Sequence, residues 1–217
     1  CNNSCIFCVV NSHQKRKEGV NKKMIEGFLK ENAGKGYESV NIHGGEATVL
    51  EDFVDILKLI KQYGYPQISL QTNARKLADL DYAKEVYDNG VNLFVVSLHG
   101  KDAEEHDTIT QVEGSFKEAV EGIKNVKCLG AKVRTNTVAY KGNIQSIPEI
   151  VELAISIGVD HVNLSAMHPV GKAYENFERV VPTYEQIREK IFEAVDVCVK
   201  HNCVVTLEGF PNCTIQG

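Results

Sequence analysis

Three cysteines in the first eight positions, Cys1, Cys5 and Cys8, are the residues of this sequence best suited to do chemistry. Their spacing, C-x-x-x-C-x-x-C, puts three thiols on one short loop. Three thiolates can each bind one iron of a [4Fe–4S] cubane, and the fourth iron then has no protein ligand. Because an open iron can accept a substrate or cosubstrate, the spacing predicts a cluster that takes part in a reaction.

Two other interpretations of the cysteines stay open. A structural zinc site needs four ligands, usually from two C-x-x-C pairs. The sequence has no second pair, although His13 could complete such a site, and the protein would then be a zinc-binding barrel enzyme. The other alternative is a non-catalytic iron–sulfur module for electron transfer. The missing second pair makes us favour a reactive cluster over zinc.

The elements that must position these cysteines alternate along the chain. Six segments rich in valine, isoleucine and leucine predict strands of a parallel sheet, several of them apolar on both faces; they are residues 39–43, 67–71, 92–98, 132–138, 161–167 and 204–207. Amphipathic helices are predicted at residues 24–32, 53–63, 82–89, 115–129, 147–157 and 184–201. The order predicts an α/β fold, a partial (βα)6 TIM-like barrel, with ligands at the carboxyl ends of the strands. A flat doubly wound sheet is the alternative.

Several motifs resemble those of the radical S-adenosylmethionine (SAM) superfamily. The cysteine triad, with the aromatic Phe7 before its last member, resembles the family signature. The segment at 44–48 resembles the Gly-Gly-Glu-Pro motif, with Ala47 in place of proline. Strand ends at 70–74 and 97–100 resemble the Thr-Asn-Gly and Ser-Leu-Asp motifs, and the segment at 166–171 resembles Met-Pro-x-Gly. The segments are GGEAT (44–48), LQTNA (70–74), SLHG (97–100), VRTNTV (133–138) and AMHPVG (166–171).

The resemblance implies a ligand set. It is greatest to the subgroup that contains the first enzyme of molybdopterin synthesis and the peptide-modifying (SPASM-type) maturases. Cys1, Cys5 and Cys8 would hold the [4Fe–4S] cluster, and the amino and carboxylate groups of SAM would chelate its open iron. Glu46 would pair with the ammonium group of SAM. The residues implied to bind SAM are Gly44, Gly45, Glu46, Thr72, Ser97, Asn136 and Met167.

The resemblance also implies a reaction. Reductive cleavage of SAM would give methionine and a 5′-deoxyadenosyl radical, which would abstract a hydrogen atom from the substrate. That substrate would be a small molecule or a peptide, and the sequence does not identify it. The electron would come from a donor such as a flavodoxin or a ferredoxin. No further catalytic residue is identified.

Composition narrows the class of protein. The net charge of −5 and the isoelectric point near 5.8 argue against a nucleic-acid partner, which requires clustered lysine and arginine. We interpret the short basic run at residues 13–17 as a solvated loop. The sequence has neither an apolar stretch of membrane-spanning length nor a secretory signal, so we expect a cytoplasmic protein without a membrane partner.

Residues 1–217 are expected to form one radical SAM core domain that is trimmed at both ends, with a further strand before Cys1. We hypothesise that Cys213, in a loop past the last strand, opens an auxiliary cluster site completed beyond Gly217. The three remaining cysteines are predicted to be small buried apolar residues; they are Cys128, Cys198 and Cys203.

Three histidines lie near the predicted ligand segments. We interpret His43 and His168 as structural residues. His99 stands where the subgroup often has aspartate, and it would meet the substrate or the SAM ribose, or only satisfy the backbone.

Overall fold

Six parallel strands form one sheet in the computed structural model, which describes residues 1–12 and 20–215. Each strand pairs with the next strand along the chain, so the order in the sheet is the order in the sequence. The strands are β1 (Ser39–Ile42), β2 (Gln67–Thr72), β3 (Val91–Ser97), β4 (Lys132–Ala139), β5 (His161–Ala166) and β6 (Val204–Glu208). The sheet does not close, which agrees with the predicted partial TIM-like barrel. The basic run that begins at His13 lies outside the described residues.

Helices connect the strands, as parallel pairing requires. All six predicted helices are present, with ends that differ from the prediction by at most two residues. The sequence did not predict α4, whose residues are mostly polar. The helices among the described residues are α1 (Lys22–Asn32), α2 (Phe53–Gln62), α3 (Leu80–Asp88), α4 (Ala103–Thr110), α5 (Ser115–Cys128), α6 (Ile147–Ser156), α7 (Lys172–Glu175), α8 (Phe177–Val180), α9 (Tyr184–Lys200) and α10 (Asn212–Ile215).

The two faces of the sheet differ in polarity. On β4, Val133, Thr135 and Thr137 are buried, and the alternate residues Arg134 and Asn136 line an internal cavity instead. The main hydrophobic core unites strand side chains such as Phe94 and Leu164 with apolar residues of the helices. The prediction of strands that are apolar on both faces is therefore wrong for this sheet, because its concave face is polar.

Two local features qualify the helix predictions. Thr183 caps α9, since its side chain accepts from the Gln186 N–H in a complete capping box. On α1, Leu29 is buried, whereas the apolar residues Met24 and Phe28 of the same helix are exposed. No helix in the described part of the chain is long and apolar enough to cross a membrane.

Candidate active site

A cavity of about 590 Å³ opens on the concave face of the sheet, at the carboxyl ends of the strands. This is the location at which open α/β folds bind ligands. The cavity brings together residues from the cysteine loop and from the ends of all six strands, which the sequence places far apart. Every predicted site residue except Glu46 lines it; these are Cys1, Cys5, Cys8, Gly44, Gly45, Thr72, Ser97, Asn136 and Met167.

The cysteine loop, residues 1–12, is anchored through its backbone from two sides. On one side, the Ser4 N–H donates to the Thr110 carbonyl at 2.9 Å and the Ile6 N–H donates to the Ile109 carbonyl at 3.0 Å. On the other side, the Lys172 N–H donates to the Cys8 carbonyl at 3.0 Å. Helices α4 and α7 therefore fix the path of the loop between them.

Long polar side chains add to this anchoring. The Arg75 guanidinium donates to the Asn2 carbonyl at 2.6 Å and to the Asn3 side chain at 3.1 Å. Lys172 Nζ donates to Ser4 Oγ at 3.0 Å, and Asn176 Nδ2 donates to the Ile6 carbonyl at 2.9 Å (Asn176 lies between α7 and α8). Sequence reasoning missed these anchors, although Arg75 directly follows the predicted Thr72-Asn73-Ala74 motif.

Two glycines permit close approach to the cysteine loop. A Cβ on Gly171, whose φ is +59°, would lie 2.6 Å from the Cys8 carbonyl oxygen. A Cβ on Gly45 would lie 3.3 Å from the Cys1 Cβ and 3.0 Å from the Ser12 Cβ. At Gly171 only glycine allows the backbone to come this near, whereas at Gly45 a Cβ would crowd the cysteine loop.

The three thiols are free and share one wall of the cavity. Burial and the neighbouring Cys8 raise the pKa of Cys5 to about 11. Burial alone would raise the pKa of Cys8 too, but hydrogen bonds from the Ser12 side chain and from backbone N–H groups lower it. Among the described residues no three His, Cys, Asp or Glu side chains converge on one metal ion. In a cubane each thiolate binds a different iron, so the three thiols need not converge on one point. Three cysteines spread along one loop therefore suit a [4Fe–4S] cluster.

Glu46 is buried and does not line the cavity. Its Oε1 accepts from the Thr48 N–H at 3.2 Å, from Thr48 Oγ1 at 2.7 Å and from Thr72 Oγ1 at 2.8 Å. Its Oε2 accepts from the Asn73 N–H at 2.7 Å. The structure therefore gives Glu46 a positioning role that the sequence did not predict: its carboxylate joins the ends of β1 and β2.

Asn73 extends that connection to the cysteine loop. Its Nδ2 donates to Asn2 Oδ1 at 2.7 Å, so Glu46, Asn73 and Asn2 form one chain of contacts. The Thr72 hydroxyl also accepts from the Ala74 N–H at 2.9 Å. Thr72 thus uses its hydroxyl to hold the loop, although the residue borders the cavity as predicted.

A network of amides and hydroxyls covers the wall formed by β4 and β5. Asn136 Oδ1 accepts from Asn163 Nδ2 and from Ser165 Oγ, both at 2.7 Å. These bonds fix the Asn136 side chain, and its Nδ2 has no partner among the described residues. This group is therefore available to a ligand in the cavity.

Two stacked histidines line the cavity beside Phe7, with ring centroids 6.2 Å apart. His99 Nδ1 accepts from the Val138 N–H, and His106 Nδ1 accepts from the His99 N–H, both at 3.3 Å. Burial lowers the pKa of His99 to about 3, with a further contribution from His106, and lowers the pKa of His106 to about 4. Both rings are therefore neutral at physiological pH and carry their proton on Nε2.

The remaining predictions fare differently. His43 and His168 are exposed and border the cavity, and their interpretation as structural residues stays a prediction. Cys198 is fully buried, as predicted, and Cys203 is half-buried. Cys128 was predicted to be buried but is exposed on α5, and Cys213 is exposed on α10.

The sequence matches the model of a known protein family. A model described as "Radical SAM superfamily" matches residues 1–154. A "Probable GTP 3',8-cyclase" of Sulfurisphaera tokodaii is 31% identical over 205 residues, and one of Saccharolobus islandicus is 32% identical over 209 residues. These matches cover 93% and 88% of the chain, but only 64% and 66% of the relatives. The chain thus spans just under two thirds of the length of these relatives.

Solved structures share the fold. Streptococcus suis SuiB bound to S-adenosylmethionine superimposes with a TM-score of 0.78 at 21% identity, over 96% of this chain and 48% of SuiB. The protein anSMEcpe with bound AdoMet and a peptide superimposes with a TM-score of 0.76 at 18% identity, over 95% of this chain and 60% of its own. At these identities the likeness concerns the fold alone.

Proposed function

Because this chain belongs to the radical SAM superfamily, a family of enzymes that use a [4Fe–4S] cluster and SAM, we propose that residues 1–217 form a core domain that binds both and cleaves SAM reductively. One observation carries the proposal. The three free thiols and the predicted strand-end residues, which are distant in sequence, border a single cavity.

Each part of this cavity has a task in the proposal. Cys1, Cys5 and Cys8 would hold the cluster, on a loop fixed by α4 and α7. Gly44 and Gly45 expose backbone beside that loop and would contact SAM, along with Thr72, Ser97, Asn136 and Met167. Glu46 holds Thr72 and Asn73 in place, and its pairing with the SAM ammonium stays part of the proposal.

Held by Cys1, Cys5 and Cys8, the reduced cluster would supply the electron for reductive cleavage of SAM, which would be the source of the radical that abstracts hydrogen from the substrate. The protein must orient the two reacting carbons and exclude water around them. Buried Phe7 and Met167 supply apolar surface to the cavity. The neutral His99 and His106 add no mobile proton near the reaction at physiological pH.

The substrate and the electron donor are also proposals. The names of the relatives indicate action on GTP, and one structural neighbour holds a peptide, so we propose either a small molecule or a peptide as the substrate. A flavodoxin or a ferredoxin would supply the electron. The net negative charge disfavours a nucleic-acid substrate.

The test is the release of 5′-deoxyadenosine from SAM under dithionite, which requires no knowledge of the substrate. The anaerobically reconstituted chain should release it, and Cys5→Ala should not. Cys128→Ala, which removes an exposed thiol outside the cavity, is the matched control and should behave as the wild type. A colourless protein with one bound zinc and no release would contradict the proposal and favour the zinc alternative.

A further inference from the structure

Among the described residues, Glu208 is the one carboxylate that borders the cavity. It is the last residue of β6, and its register partner on β5 is Ser165. It shares a face of β6 with Thr206, whose hydroxyl joins the polar network of the concave side. Directly after it, Gly209 has a φ of +76°, and a Cβ there would lie 3.2 Å from His168 Nε2. The end of the strand is therefore closely packed, and the Glu208 side chain extends from it into the cavity.

The carboxylate of Glu208 has few hydrogen-bond donors. Its Oε2 accepts from Asn163 Nδ2 at 3.0 Å, and its Oε1 has no partner among the described residues. The Asn163 amide has two hydrogens but three acceptors, because Asn136 Oδ1 at 2.7 Å and Ser165 Oγ at 2.9 Å are also within reach. Glu208 is the most distant of the three acceptors, so its one donor is shared. Since an ionised carboxylate has about four acceptor sites, most of those on Glu208 are open.

Glu46 shows what a carboxylate with a structural role looks like in this protein. It is buried, and its two oxygens accept four hydrogen bonds, from Thr48, Thr72 and Asn73. Glu208 is exposed and accepts a single shared one. The carboxylate of Glu46 joins two strand ends, whereas that of Glu208 is free to bind a molecule in the cavity.

The negative charge of Glu208 is not neutralised by the protein. It forms no ion pair within the described part of the chain. Arg134, the other permanently charged side chain described at the cavity, donates to Asn163 Oδ1 at 2.6 Å instead. The Asn163 amide therefore stands between the two charges and keeps them from pairing with each other.

We propose that Glu208 is a substrate-binding residue and that it binds a positively charged nitrogen group, an ammonium or a guanidinium, of the molecule from which hydrogen is abstracted. This rests on the proposed function, because it assigns the substrate class of the same cavity. A carboxylate with open acceptor sites binds the N–H donors of either cation through charge-assisted hydrogen bonds. The contact with Asn163 orients the carboxylate for this role.

SAM also carries N–H donors, in its ammonium group and in the amino group of its adenine. The proposed function pairs the ammonium with Glu46 and places it at the open iron, beside the cysteine loop. The adenine amino group is uncharged. The cation at the end of β6 would therefore come from the second molecule in the cavity.

The direct test is calorimetric titration of small cations into the wild-type chain, reconstituted with iron and sulfide and saturated with SAM. The probes are methylguanidinium and butylammonium, and methylurea is the uncharged analogue of the first. We expect at least one cation to bind, and methylurea to bind more weakly than that cation by about tenfold or more. Binding of methylguanidinium alone assigns a guanidinium, and binding of butylammonium alone assigns an ammonium.

Two matched variants then locate the bound cation. Glu208→Gln keeps the shape of the side chain but removes its charge, so it should weaken cation binding by about ten- to a hundredfold. Glu51→Gln removes a charge from an exposed position outside the cavity and should leave cation binding unchanged. The affinity of Glu208→Gln for SAM, measured in the same samples, should match that of the wild type and shows that the cavity is intact.

The proposal is overturned if neither cation binds, if methylurea binds as tightly as the cations, or if both variants weaken binding equally. It is also overturned if Glu208→Gln loses affinity for SAM and none for the cation, because the carboxylate then contacts SAM. If the wild-type chain in these samples releases no 5′-deoxyadenosine from SAM, the proposed function fails, whereas the cation result is judged separately.

Discussion

At the scale of single residues, substitution of Glu46 distinguishes two roles of its carboxylate. One is direct contact with SAM, and the other is support of the loop that borders the cavity. Glu46→Ala leaves the donors of Thr48, Thr72 and Asn73 unpaired in a buried place, at a cost of about 1–3 kcal/mol for each unsatisfied group. We expect the melting temperature to fall and SAM affinity to fall with it, because the loop that borders the cavity loses its support. Thermal denaturation and SAM titration of the same samples measure the two effects.

Glu51→Gln is the control, since Glu51 is exposed on the same connection and its substitution removes one charge only. A loss of SAM affinity in Glu46→Ala at an unchanged melting temperature would support the direct contact with the SAM ammonium that the resemblance implies.

The two buried histidines predict acid sensitivity. An unfolded histidine has a pKa near 6.5, whereas burial lowers the pKa of His99 to about 3 and of His106 to about 4. The unfolded state therefore binds more protons below pH 6.5, and stability that is complete above that pH is lost as the pH falls towards 4. At pH 5 the loss is on the order of 2 kcal/mol for each histidine.

The measurement is urea denaturation at pH 7.5 and pH 5. His106→Asn keeps an acceptor for the His99 N–H but cannot be protonated, so its loss of stability on acidification should be clearly smaller than that of the wild type. His201→Asn, at an exposed position after α9, is the control and should lose as much as the wild type. Equal acid sensitivity in all three proteins would show that the buried pair does not carry the effect.

Motif spacing predicts which residues border the cavity, but it does not predict the direction in which a side chain turns. Gly45 and Asn136 could be placed from the sequence because the carboxyl ends of parallel strands meet at one edge of the sheet, and Cys1 could be placed from the spacing of the cysteines. Glu46 belongs to the same motif, yet its carboxylate turns towards the donors of β2. Arg134 could have been found from strand periodicity, because residues two apart share a face.

At the scale of elements, the connection between β5 and α7 supports the cysteine loop through Gly171. Gly171→Ala would place a methyl group 2.6 Å from the Cys8 carbonyl oxygen and would disturb the Lys172 N–H contact to that oxygen. We expect the reconstituted variant to lose its cluster several-fold faster than the wild type in the presence of a chelator, as followed by absorbance near 400 nm.

Gly36→Ala is the control that distinguishes the clash with the Cys8 carbonyl from the backbone strain of an alanine at positive φ. Gly36 also has a positive φ, +83°, but a Cβ there would have no atom within 4 Å. This variant should lose some stability and hold its cluster as the wild type does. Equal cluster loss in the two variants would mean that strain, and not the contact with the cysteine loop, is responsible.

The strands could be predicted because their apolar runs are bounded by glycines that end the preceding helices. Helix α4 could not, since AEEHDTIT has little apolar periodicity and begins at a cap, Asp102, whose side chain accepts from the Glu105 N–H at 2.9 Å. Its carbonyls at Ile109 and Thr110 nevertheless hold the cysteine loop. The missed helix is thus essential to the geometry of the site.

At the scale of the whole molecule, the chain is expected to hold one cluster. Iron and sulfide should each be about four per chain after anaerobic reconstitution, and Cys213→Ala should not change them, because Cys213 is exposed and lies outside the cavity wall. A Cys1/Cys5/Cys8 triple alanine variant should retain none. An auxiliary site that begins at Cys213 stays a prediction, and additional iron in a longer form of the protein, lost on Cys213→Ala, would support it.

The fold class could be predicted as a whole because each strand pairs with its neighbour in the chain, so local order fixes the topology. The polarity of the concave face could not be predicted. It depends on the cavity that the open sheet encloses, and the strand sequences show only that polar and apolar residues alternate.

The anchors of the cysteine loop have a consequence for the order of events during synthesis. Ser4 and Lys172 are 168 residues apart, and Ile6 and Asn176 are 170 apart, whereas the sheet pairs only consecutive strands. A nascent chain can therefore build its sheet progressively as it emerges, since domains fold from the amino-terminal side during translation. The cysteines leave the ribosome early, but the groups that fix their loop leave it late. Cluster insertion is thus expected to follow folding of the sheet. Iron and sulfide delivered before Lys172 and Asn176 are in place would encounter a cysteine loop that its anchors do not yet fix.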